Sequence, residues 1–164
     1  MMTDSQIYAK YASGQDRLLQ ELDRIKLPAL VENIRSNPNY MTIDNYSQSA
    51  RDWDDVKKSK LIESFIINFP VMPILLYETS YHTYKVIDGK QRLKAILDFY
   101  SNKLALTGLE VKTEINGCTC ATLPLHVGKI LNNHPLTLIS IIPKGDASSE
   151  EIAKFIEVVA NRLN

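Results

Sequence analysis

Apolar residues recur along this chain at two spacings, and the changes from one to the other mark its elements. Residues 15–36 carry Leu18, Leu19, Leu22, Ile25, Leu30 and Ile34 at helical intervals around Pro28, which predicts two short helices or one kinked helix. The turn cluster Ser36, Asn37, Pro38 and Asn39 precedes a short strand over 40–43, and the polar stretch 44–52 has no period and reads as a loop. Asp54 or Asp55 is placed to cap a helix running to about Asn68, where Pro70 stops it. Val56, Leu61, Phe65 and Ile66 form its apolar side, with Lys57, Lys58, Lys60 and Glu63 mostly facing water. Residues 73–77 and 84–87 read as two strands of a hairpin. Leu93, Ile96, Leu97 and Tyr100 then fall at i, i+3, i+4 and i+7, so the second strand runs directly into a helix over 89–100. Residues 109–115 and 118–122 flank Asn116-Gly117, a dipeptide suited to a type I′ turn, which predicts a second hairpin. A short helix over 123–131 and a buried strand over 136–142 follow. Ser148 or Ser149 caps a last helix whose inner stripe is Ile152, Phe155, Ile156 and Val159.

Composition narrows the class. A chain of 164 residues, 45% hydrophobic and 23% charged, is that of one folded domain with an ordinary core. Basic and acidic residues balance at 19 each, so no global field draws the protein onto DNA or an anionic membrane; DNA contact would need a local patch or a partner. The longest apolar runs fall far short of the roughly 20 residues of a membrane span, and the polar start has no signal-peptide core, which points to the cytoplasm. Cys118 and Cys120, two apart on an expected strand, share a face and cannot readily close a disulfide. His82, His126 and His134 stand at no ligand spacing to them, so no Cys/His metal site is expected.

The candidate chemistry sits where strand becomes helix, at Val86-Ile87-Asp88-Gly89-Lys90-Gln91-Arg92. Such a junction gathers unpaired amides and the positive end of a helix dipole, a ready place for an anion. Gly89 lets the backbone approach closely, Gln91 offers an amide, Arg92 a planar fork and Lys90 a mobile charge; Asp88 can hold Mg²⁺ or cap the helix. A structural reading stands beside this one: Asp-Gly is a common turn, and a first-turn Arg is often an ion-paired surface residue. Glu63 could face a nucleotide or its metal, or be an exposed helical Glu. Trp53 could stack on a base or anchor packing.

The run 53–65 from Trp53 to Phe65, the segment Pro70-Val71-Met72-Pro73-Ile74-Leu75-Leu76-Tyr77 and the run 86–96 from Val86 to Ile96 together resemble the N-terminal domain of GmrSD-type modification-dependent restriction proteins. The resemblance implies an α+β fold of the ParB/sulfiredoxin-like type, a small mixed sheet flanked by helices. It also implies that the whole chain, 1–164, is one such domain: a helical N-terminal extension over 1–39 and a core over 40–164. Family members often continue past that end, so the chain is expected to be truncated or completed by another chain. The family's DGQQR motif maps onto Asp88, Gly89, Lys90, Gln91 and Arg92, with Lys90 in place of the first Gln. Its Gln-Arg pair before the Trp maps onto Gln48 and Arg51, here separated.

What the resemblance implies about activity is binding and hydrolysis of a nucleoside triphosphate, with the DGQQR motif at the phosphates, in restriction of modified phage DNA; Asp88 or Glu63 would then help to position Mg²⁺ or water. Asp88, Gln91, Arg92 and Glu63 would be the catalytic set, and Asp88, Gly89, Lys90, Gln91, Arg92, Arg51 and Trp53 would hold the nucleotide. The family's His-Asn-His nuclease lies in a separate C-terminal domain, so a nuclease domain or subunit in another chain is the expected partner. His126 and His134 are expected at the surface or the core edge. Two rival functions remain open: a nucleotide-dependent switch without turnover, and a ParB-like DNA-binding or nuclease domain, against which the neutral charge counts.

Overall fold

The computed structural model describes residues 1–12, 19–43, 52–143 and 148–163. The hairpin expected from the alternation is present: β3 (Ile74–Ser80) and β4 (Thr83–Asp88) pair antiparallel. Three further strands, β1 (Leu19–Lys26), β2 (Met41–Thr42) and β5 (Pro135–Ile142), complete a mixed sheet in the order β1-β5-β3-β4-β2. β5 lies parallel to β3 and antiparallel to β1, and β2 lies parallel to β4.

Six helices accompany the sheet among the described residues: α1 (Asp4–Ala12), α2 (Leu27–Ser36), α3 (Asp55–Ile66), α4 (Lys90–Tyr100), α5 (Leu125–Asn133) and α6 (Ser149–Leu163). The architecture is α+β. Helices α2 to α5 pack on one another over the face that carries Ile74, Leu76, Leu136 and Leu138, where Phe65, Leu93, Ile96 and Phe99 are fully buried. The α3 helix starts where expected, with the Asp54 carboxylate accepting from Lys57 N–H at 2.8 Å. The α6 helix opens on a capping box between Ser148 and Glu151, and its half-buried stripe is the expected Ile152, Phe155, Ile156 and Val159.

Two expectations fail. Residues 19–26 are a strand, not a helix, so the segment 1–39 is not a helical extension: β1 adds an edge to the sheet, and Leu27 and Leu30 of α2 lie in the core. All eight β1 residues find partners on β5, and this ladder outweighs a helical spacing that would have served no buried face; Leu22 is 68% exposed. Nor do residues 109–122 form a hairpin. Asn116 has φ −56° and ψ 137°, Gly117 has φ 86°, and Cys118 N–H donates to Ile115 O at 3.1 Å, which is a type II turn between two short 3₁₀ turns. Only Gly117 takes positive φ, so the geometry of a two-residue hairpin does not arise. Cys118 and Cys120 therefore do not share a strand; both are free thiols packed at the core's edge, and burial pushes the Cys120 thiol up.

Candidate functional site

The strand-to-helix junction is built around Gly89. Its φ of 99° places it in the left-handed region, and a Cβ there would run into the Ile74 side chain and come within 3.3 Å of the Ile74 Cα. Only glycine lets β4 turn so close against β3 and enter α4 at once. Just before it the ladder slips, from Leu76 opposite Val86 to Leu75 opposite Asp88, so Ile87 is an extra residue that re-aims Asp88. No side chain caps α4, and its first backbone bond runs from Leu93 N–H to Gly89 O at 2.9 Å. The amides ahead of that bond are held together at the positive end of the helix.

Arg92 reaches back over this junction. Its Nη2 donates to the Asp88 carboxylate at 2.9 Å and to Pro73 O at 3.0 Å, while its Nε is buried with no partner among the described residues. The Arg92 side chain is 15% exposed and that of Asp88 40%, so the pair is sunk on the arginine side and open on the carboxylate side.

Gln91 faces elsewhere. Its Oε1 accepts from Trp53 N–H at 3.1 Å and its Nε2 donates to Asp52 at 3.1 Å, and Lys94 holds the other Asp52 oxygen at 2.6 Å. These bonds from Lys94 and Gln91 hold the Asp52 carboxyl below its usual range. Gln91 thus ties the chain entering α3 to the first turn of α4. Trp53 is half-buried against the core with Lys57 Nζ 4.8 Å above its ring, an arrangement of packing and cation–π contact. Gln48 and Arg51 lie outside the described residues.

Glu63 departs from the expectation of a water-facing side chain. It is 5% exposed, and its Oε1 accepts from Val111 N–H at 3.0 Å and Lys112 N–H at 2.6 Å, so it fastens the long segment after α4 to α3. Ser59 does the same for Thr107 N–H at 3.0 Å, a role with no signature in the sequence. Glu63 shares no hydrogen bond with the Asp88–Arg92 turn. The lysines of α3 are likewise not a free basic face. Lys58, 12% exposed, pairs with Asp98 at 2.9 Å, a bond that raises its pKa, and Lys60 pairs with Glu110. His134 sits at the core edge with its ring 5.1 Å from that of Phe65.

The junction, with its glycine turn, uncapped helix start and inward arginine, falls inside a match to a known family: the GmrSD restriction endonuclease N-terminal domain is matched over residues 27–161. The chain belongs to this family. The match takes in α2 to α5 and most of α6, and leaves the edge strand β1 of this GmrSD N-terminal domain outside. No curated protein matches. Among solved structures, the chain is similar to the C-terminally truncated chromosome-partitioning protein ParB from Caulobacter crescentus complexed with CTP-gamma-S, at 11% identity and a TM-score of 0.36. That likeness covers 85% of this chain and 53% of the ParB chain, so the chain spans about half of that structure's length. No helix among the described residues is long and apolar enough to cross a membrane.

Proposed function

We propose that this GmrSD-family domain binds a nucleoside triphosphate with its phosphates at the start of α4 and hydrolyses it, in support of a nuclease carried by another domain or subunit. The observation that carries the reading is Arg92: a mostly buried guanidinium held at an uncapped helix start, beside a glycine whose missing side chain opens the backbone to an anion. Phosphate oxygens would take the amides and Lys90, and would compete with Asp88 for Arg92. Among the described residues, one Asp88 carboxylate oxygen is engaged and the other has no partner. A single carboxylate together with phosphate oxygens and water is a donor set that Mg²⁺ commonly takes, so the residues fit the ion, which would supply charge neutralisation at the phosphates.

One observation favours a second reading. Gln91 is engaged with Asp52 and Trp53 and Glu63 with the backbone of Val111 and Lys112, so neither is placed to direct an attacking water. Occupancy of the site without turnover would then act as a switch, transmitted through Gln91 to the segment before α3. Turnover of radiolabelled nucleoside triphosphates by the isolated chain, with and without Mg²⁺, separates the two. Product release that is lost in Arg92→Ala supports hydrolysis, and binding without product supports the switch. Absence of both would sink the phosphate site altogether.

A further inference from the structure

An aspartate just ahead of a helix usually turns its carboxylate onto the first amides of that helix. Asp88 does not: no side chain caps α4, and the Asp88 carboxylate is given to Arg92 instead. The extra residue Ile87, where the ladder slips, sets that direction. The guanidinium lies directly over the glycine turn, with Arg92 Nη2 3.1 Å from the place a Cβ on Gly89 would take. The Asp88 carboxylate therefore stands on the donor that a phosphate oxygen would need.

Both hydrogens of Nη2 are spent, one on Pro73 O at 3.0 Å and one on Asp88 at 2.9 Å. Nε is buried, closed to a ligand from outside. Of the two acceptors on Nη2, Pro73 O belongs to the main chain just ahead of β3, whereas the Asp88 side chain is open to water and can swing. An anion takes Nη2 when that carboxylate leaves it. A carboxylate that stays brings its negative charge within a few ångströms of the incoming oxygens, where like charges oppose binding. A divalent cation lifts this cost by drawing the carboxylate and the phosphates onto itself together.

Resting on the phosphate reading above, we propose that Asp88 is the specificity-determining residue of this site: an internal anion on Arg92 that shuts out metal-free anions and admits a triphosphate that carries Mg²⁺. An ion pair kept for stability alone leaves affinity unchanged or lowers it when the charge is removed. A blocking carboxylate does the reverse, and its removal opens the site to metal-free triphosphate.

The test is calorimetric titration of the full chain with sodium tripolyphosphate at physiological ionic strength, in EDTA and in Mg²⁺. In EDTA, Asp88→Asn keeps an acceptor for Nη2 without the charge and binds about tenfold or more tighter than the parent, while Asp88→Glu keeps the charge and binds no tighter. Asp88→Ser removes the same charge with a shorter side chain and matches Asp88→Asn, so the result does not hang on one substitution. Mg²⁺ tightens the parent about tenfold or more and Asp88→Asn much less, and Arg92→Ala binds weakly in both conditions. Charge-free variants that bind metal-free tripolyphosphate no tighter than the parent, tighter binding in Asp88→Glu, or a parent that binds as well in EDTA as in Mg²⁺ would each overturn the proposal and leave the phosphate site standing. No binding by the parent in Mg²⁺ or by Asp88→Asn in EDTA, up to roughly millimolar tripolyphosphate, would remove the phosphate site itself and this proposal with it.

Discussion

Gly89 is the residue on which the junction turns. An added methyl group meets Ile74 and must hold a φ of 99°, so Gly89→Ala should cost roughly 1 to 3 kcal/mol in urea denaturation, with m unchanged. A cost within error would mean that β3 and β4 are not pressed together there. Arg92→Ala removes a charge-assisted donor and should weaken nucleotide binding about tenfold or more; Arg92→Lys keeps the charge, loses the fork and should weaken binding nearly as much. If Arg92→Lys binds as the parent does, the placement of phosphate there is withdrawn. Because Nη2 also supports Pro73 O, Arg92→Ala should in addition lower stability by about 1 to 2 kcal/mol, unlike an ordinary surface arginine. Glu63 makes a contrasting case. Glu63→Gln should destabilise by roughly 1 to 2 kcal/mol through weaker bonds to Val111 and Lys112, and leave nucleotide affinity where it was. A large loss of affinity in a stable Glu63→Gln protein would restore it to the site.

Among the elements, legibility follows how local the determining contacts are. The α4 helix is readable because its apolar period, its glycine entry and its preceding strand all lie within one short stretch. The α3 start is readable for the same reason, since Asp54 caps it through Lys57 N–H three residues on. Asp54→Ala should therefore cost about 1 kcal/mol in thermal or urea unfolding, and no measurable change would show that the α3 start is held by its packing alone. The β1 strand is not readable, because its identity rests on β5 at the other end of the sequence, and Leu19, Leu22 and Ile25 mimic a helical face. The segment 109–122 misleads because Asn-Gly supports a type II turn as well as a type I′ one, and the choice depends on whether flanking strands exist. At α1 a local signal was present: Thr3 and Gln6 exchange bonds across the helix start, the spacing of a capping box. In the candidate site, Asp88 and Arg92 are paired across one turn that Gly89 makes, which local sequence shows, whereas the partners of Gln91 and Glu63, at positions 52, 53, 111 and 112, carry no spacing that would announce them.

For the whole molecule, pH should act through His134, whose pKa is lowered by burial first and by Arg24 second. The unfolded chain then binds a proton that the folded one resists, so stability is full above the unfolded value of about 6.5 and falls as pH drops toward the lowered folded value. Urea midpoints should decline over that window, and His134→Gln should flatten the decline; an unchanged slope would assign it to other groups. The position of β1 bears on time as well as on energy. Its partner β5 is made only after every element of the helix-bearing layer, so during synthesis the β1 segment waits with nothing to pair with. A bare edge is an invitation to the wrong neighbour. Glu21 and Asp23, followed by Arg24 and Lys26, keep that edge charged and in water until β5 arrives, so the same side chains guard the nascent chain against joining another copy of itself.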